Sequence, residues 1–184
     1  MVGRRGFLGR ALILAVLGAA RHAWAQGAPF LRFYSLPSPV VVPLDDMRTR
    51  WRARLFVADA VTLDTAAMPN QPIRITGMVV RTGPAGDNPP DRFQAVCLRC
   101  PHEGCDIEFV ADAGKLPPEV VTEIGHPVTG PVYVCPCHNS TFTVETGERL
   151  AGPAPRGLYR FRVTKVTAST VEIGEVEEDL LLFV

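Results

Sequence analysis

Apolar and polar positions alternate with a period of two in several short windows, the mark of strands with one buried face. Pro72-Ile73-Arg74-Ile75-Thr76-Gly77 is one such window. Leu158-Tyr159-Arg160-Phe161-Arg162-Val163 is another, with Phe161 and Val163 on one face and Arg160 and Arg162 on the other. Residues 93–97, 132–135, 142–144 and 170–173 are further strand windows. Gly83-Pro84-Ala85-Gly86-Asp87-Asn88-Pro89-Pro90 reads as an exposed turn or loop. Residues 27–46 are Pro-rich and mostly apolar, which predicts extended chain packed on the body of the fold. The 17 prolines and 16 glycines favour many turns and short strands over long helices. The pattern predicts an all-β protein, and 184 residues suit one compact domain.

The first 25 residues follow a different pattern. Arg4-Arg5-Gly6-Phe7-Leu8 precedes an apolar run at residues 11–20, and Ala23-Trp24-Ala25 follows. A charged start, a short apolar core and an A-x-A site are the parts of an export signal. The arginine pair followed by Phe-Leu resembles a twin-arginine signal. A spanning helix needs about 20 apolar residues, and Arg10 and Arg21 bracket only ten, so cleavage after Ala25 is expected rather than retention as an anchor. The mature chain, 26–184, would then be exported to the periplasm or to the outer face of the inner membrane. The signal holds four arginines and no acids, which leaves 15 basic and 19 acidic residues, a net of −4. That balance argues against nucleic-acid binding.

Two stretches carry the candidate chemistry: Cys100-Pro101-His102-Glu103-Gly104-Cys105 and Cys135-Pro136-Cys137-His138-Asn139-Ser140. Each holds a Cys–His pair and a second cysteine. Two thiolates and two imidazoles suffice for a metal centre, and the two leftover cysteines can pair with each other. A structural zinc site is the plainer reading, since Cys97-Leu98-Arg99-Cys100 is a C-x-x-C and mixed Cys/His sets bind zinc. Zinc, however, gives no role to the extra cysteines, to the Gly104 turn or to Ser140.

The pattern C-x-H-x-G-C…C-P-C-H-x-S resembles the cluster signature of Rieske iron–sulfur proteins, in their disulfide-bearing, electron-transfer branch. The resemblance implies a [2Fe–2S] cluster with Cys100 and Cys135 on one iron and His102 and His138 on the other. It also implies a Cys105–Cys137 disulfide between the two loops. Neutral imidazoles add no charge, so replacing two thiolates by histidines raises the potential, to roughly −150 to +300 mV. The implied fold is an antiparallel β-sandwich base with a small cluster-binding subdomain inserted at about residues 95–155.

The resemblance extends to the surroundings. Ser140 stands where the family has a serine that donates to a cluster sulfur, which raises the potential. Two residues on, high-potential members have a tyrosine that bonds a ligand sulfur; Phe142 cannot donate, so a lower potential is expected. Gly152-Pro153-Ala154-Pro155 resembles the proline loop that walls off the cluster, and prolines stiffen such a cover. The 29 residues at 106–134 are a long spacer, expected to form a loop beside the cluster, either a partner surface or inert. His126 within it reads as a surface histidine, and Cys97 as a buried free thiol.

Two functions follow from the resemblance. One is the iron–sulfur subunit of a quinol:cytochrome c oxidoreductase within a membrane complex, with the exposed ring nitrogens of His102 and His138 meeting the quinol. The other is the electron-relay small subunit of a periplasmic molybdenum oxidase such as arsenite oxidase. The proline loop and the second cysteine pair favour the first; the short apolar run and Phe142 suit the second. A ring-hydroxylating oxygenase is disfavoured, because such centres lack the disulfide cysteines and need a further iron domain.

Overall fold

The computed structural model describes residues 31–65 and 69–183. The export-signal expectation at residues 1–25 lies outside the described residues. Among the described residues, ten strands form two antiparallel sheets. The larger holds β1 (Phe33–Pro43), β2 (Ala53–Val61), β3 (Pro72–Arg81), β4 (Phe93–Cys97), β9 (Arg160–Val166) and β10 (Thr170–Glu177), in the order β1-β10-β9-β4-β3-β2. Its two edge strands, β1 and β2, lie against each other, so the sheet curls nearly into a barrel. The smaller sheet holds β5 (Glu108–Val110), β6 (Val132–Val134), β7 (Thr141–Thr143) and β8 (Arg149–Ala151), in sequence order.

The all-β expectation holds, and the strand windows fall where the alternation predicts. The segment expected only as packed extended chain is a true strand, β1, paired with β10. Its ladder breaks between Ser35 and Val40, where Pro37 and Pro39 have no N–H to offer. Strand β2 carries no readable alternation because its outer face, Asp59 apart, is apolar as well. Phe56, Ala58 and Ala60 point inward, while Leu55, Val57 and Val61 are exposed. The spacer holds more than a loop: a helix, α1 (Pro118–Ile124), starts on a proline and ends at left-handed Gly125. Its Val120 and Ile124 pack with Val132, Val134 and Ala151 against the small sheet. A second helix, α2 (Glu178–Phe183), follows β10 directly.

The cores explain the arrangement. One fills the barrel, with Phe56 and Phe161 edge to face at 5.1 Å. The other lies between the barrel wall and the small sheet and joins Val80 and Val96 to Tyr133, Phe142, Val144 and Leu158. Strands β3 and β4 therefore bury both faces: Val79 and Ala95 point into the barrel core, Val80 and Val96 into the second. No helix among the described residues is long and apolar enough to cross a membrane.

Candidate metal centre

Two loops leave the ends of β4 and β6 and are built on one backbone plan. In the first, the Cys100 N–H donates to the Cys105 carbonyl at 2.8 Å, and the Cys100 carbonyl accepts from Gly104 N–H at 2.9 Å. In the second, the Cys135 N–H donates to the Ser140 carbonyl at 2.8 Å, and the Cys135 carbonyl accepts from Asn139 N–H at 2.9 Å. The fourth residue after each leading cysteine is left-handed, Gly104 at φ 74° and Asn139 at φ 58°. Glycine takes this conformation without strain, and asparagine tolerates it better than most residues do. A disulfide joins Cys105 to Cys137, with Cα atoms 6.6 Å apart.

The plan divides the side chains by environment. Cys100 and Cys135 are free and buried, while the side chains of His102 and His138 are 28% and 47% exposed. The imidazoles meet edge to face, centroids 4.9 Å apart. Burial pushes the Cys100 thiol up from its ordinary pKa, and the adjacent Cys135 thiol adds to the rise; backbone N–H groups of His102 and Glu103 pull the other way. A buried dithiol of this kind ionises readily only when a cation takes the place of its protons. The histidines and Cys135 fall in separate side-chain groups, and two soft donors inside with two imidazoles outside can hold a binuclear iron–sulfur group.

Cys135 lies with Cys105 and Cys137 in one sulfur group, their atoms within 4.8 Å, but the last two are spent on the disulfide and offer no thiolate. Cys97 sits apart in the barrel core, a free buried thiol pushed up to about 11 by burial. The C-x-x-C of the zinc reading is thus split between two cores. His126 is exposed after α1 and belongs to neither histidine nor sulfur group.

The segment 152–155 is tied to the second loop. The Ala154 N–H donates to Ser140 Oγ at 3.0 Å, and both residues are fully buried. That leaves the Ser140 hydroxyl proton for another acceptor. Gly152, at φ 84°, lets the two backbones close in: a Cβ there would stand 2.4 Å from Ser140 Cα. Pro153 and Pro155 are exposed on either side of buried Ala154. Beyond the loop, Arg156 pairs with buried Glu177 and with Asp179, which fastens this segment to the barrel. Phe142 is fully buried in the second core, which also contains Cys100 and Cys135.

One residue of the site carries no signal in the sequence. Glu103 brings Oε1 to 4.0 Å from His102 Nε2 and Oε2 to 3.8 Å from His138 Nδ1. A single acid in an exposed turn has no pattern to betray it; only the folding together of the two loops places it between two rings. A family model described as the Rieske [2Fe-2S] domain matches residues 66–166, more than half of the chain. No curated protein matches the chain.

Proposed function

Since this chain belongs to the Rieske [2Fe-2S] domain family and so binds a [2Fe–2S] cluster and serves in electron transfer, we propose that it is the iron–sulfur subunit of a quinol:cytochrome c oxidoreductase. In this reading Cys100 and Cys135 would hold one iron and His102 and His138 the other. The cluster, when bound, takes up and returns one electron at a time. The chain's own residues do the rest. The buried thiolates face the second core, and the exposed imidazoles offer ring nitrogens to a donor's hydroxyl. The Ser140 hydroxyl, which accepts from Ala154 N–H, keeps its proton and would donate it to a cluster sulfur. The loop at 152–155 keeps water from the inner side. The chain would be exported by its twin-arginine-like segment and work at the outer face of the inner membrane, passing electrons to a cytochrome c-type acceptor.

The observation that carries the reading is the pair of equivalent loops, clasped by Cys105–Cys137 and covered by a proline loop bonded to Ser140. Phe142 favours a second reading, the relay subunit of a periplasmic molybdenum oxidase such as arsenite oxidase, because its ring offers no hydrogen bond to a ligand sulfur. EPR of the dithionite-reduced mature protein, with iron and labile sulfide counted, tests the centre. A rhombic signal of low average g with two irons per chain is expected; silence with bound zinc refutes it. Washing membranes with high salt and carbonate separates the two assignments. Retention supports the quinol complex, and release together with a large catalytic subunit supports the relay.

A further inference from the structure

Glu103 belongs to no part of the machinery derived so far, yet one carboxylate spans both imidazoles, at 4.0 and 3.8 Å. Its oxygens lie within 4.8 Å of nitrogens on both rings, and among the described residues no other acid is grouped with the pair. A neutral imidazole that gives one nitrogen to iron keeps its proton on the other and is then a donor. Glu103 faces Nε2 on His102 and Nδ1 on His138, so what it gives both rings alike is its charge rather than one shared hydrogen bond. That charge favours whichever state of the centre is more positive, and that is the oxidised one.

We propose that Glu103 is a positioning residue that lowers the reduction potential of the centre by setting one negative charge against both histidine ligands. The proposal rests on the cluster assignment above. It adds to the effect expected of Phe142: one position withholds a donor, the other supplies a negative charge, and both stabilise the oxidised state. A centre tuned downward in this way suits a donor of low potential, one that is more strongly reducing.

The test is the midpoint potential of the purified holoprotein, followed by its visible absorbance at pH 7 in Glu103→Gln and Glu103→Leu. Both variants are expected to shift upward. At a fixed applied potential, the ratio of reduced to oxidised protein should rise at least threefold, about 28 mV on the scale of 59 mV per tenfold. Because Glu103 is 60% exposed, the shift should shrink at about 1 M salt, where charges are screened beyond roughly 3 Å. Glu108→Gln, an exposed acid on β5 outside the histidine group, should shift the potential far less. An unchanged or lower midpoint overturns the proposal, as does a shift that persists undiminished in 1 M salt or one matched by Glu108→Gln. Loss of the cluster absorbance in both Glu103 variants also overturns it, since Glu103 would then be holding the loops. Failure of the wild-type chain to carry two irons and two labile sulfides would instead remove the cluster assignment itself.

Discussion

At the scale of single residues, the candidate site is defined as much by what Phe142 lacks as by what its candidate ligands supply, and Cys97 stands apart from it. Phe142 is sealed in the second core. Phe142→Tyr would add one donor there, and a charge-assisted hydrogen bond is worth about 1.5–3 kcal/mol. The midpoint potential should therefore rise, by at most about 65–130 mV on the scale of 59 mV per tenfold for one electron. Redox titration checks this, and a fall would remove the argument from the missing hydroxyl. Cys97 makes a pH prediction. Its thiol titrates near 11 when folded and near 9.0 in its ordinary state. Between those values the unfolded chain sheds the proton and the folded chain keeps it, so stability is intact below pH 9 and declines toward pH 11. The decline amounts to about 3 kcal/mol at 1.36 kcal/mol per unit. Denaturant melts of wild type and Cys97→Ala from pH 8 to 11 should show the steeper fall in wild type alone.

Elements divide into those that a sequence displays and those that packing reveals. Strand β9 was legible because Phe161 and Val163 oppose Arg160 and Arg162. Strand β2 was not, because Leu55, Val57 and Val61 place apolar side chains on its solvent face. Helix α1 is too short for periodicity to register, and its seven residues are fixed by a proline start, a glycine stop and contacts made from afar. The metal centre is the opposite case. Its two Cys–His stretches are each six residues long, so the loops that the disulfide brings together could be read directly. Glu103 and the Arg156–Glu177 fastening could not, since both depend on which loops meet.

Two elements here invite direct tests. Gly152→Ala would drive a methyl into the Ser140 backbone and force a left-handed alanine. The Ala154–Ser140 bond should open, and the cluster absorbance should bleach faster under a chelator than in wild type. Cys105→Ser removes the clasp between loops 32 residues apart. Native disulfides are typically worth about 2–4 kcal/mol. A lower melting temperature for the variant is expected, and a non-reduced wild type that melts at the same point would exclude a stabilising role.

At the scale of the whole molecule, barrel and small sheet share a wall rather than a seam. Strands β3 and β4 supply Val79 and Ala95 to one core and Val80 and Val96 to the other. Burial of an aliphatic side chain is worth about 1.5–3 kcal/mol, so uncovering the second face would strip the wall of Val80 and Val96 contacts at once. A protease admitted to the spacer should therefore not yield a trimmed barrel that survives alone. Limited digestion followed by mass spectrometry should find either intact chain or small peptides, and a persistent fragment lacking residues 100–155 would contradict this. The wall thus makes cofactor capture everyone's business in the chain: a ligand gripped at the loops also slows the fraying of strands it never touches, and the lifetime of the barrel becomes a report on the occupancy of the tip.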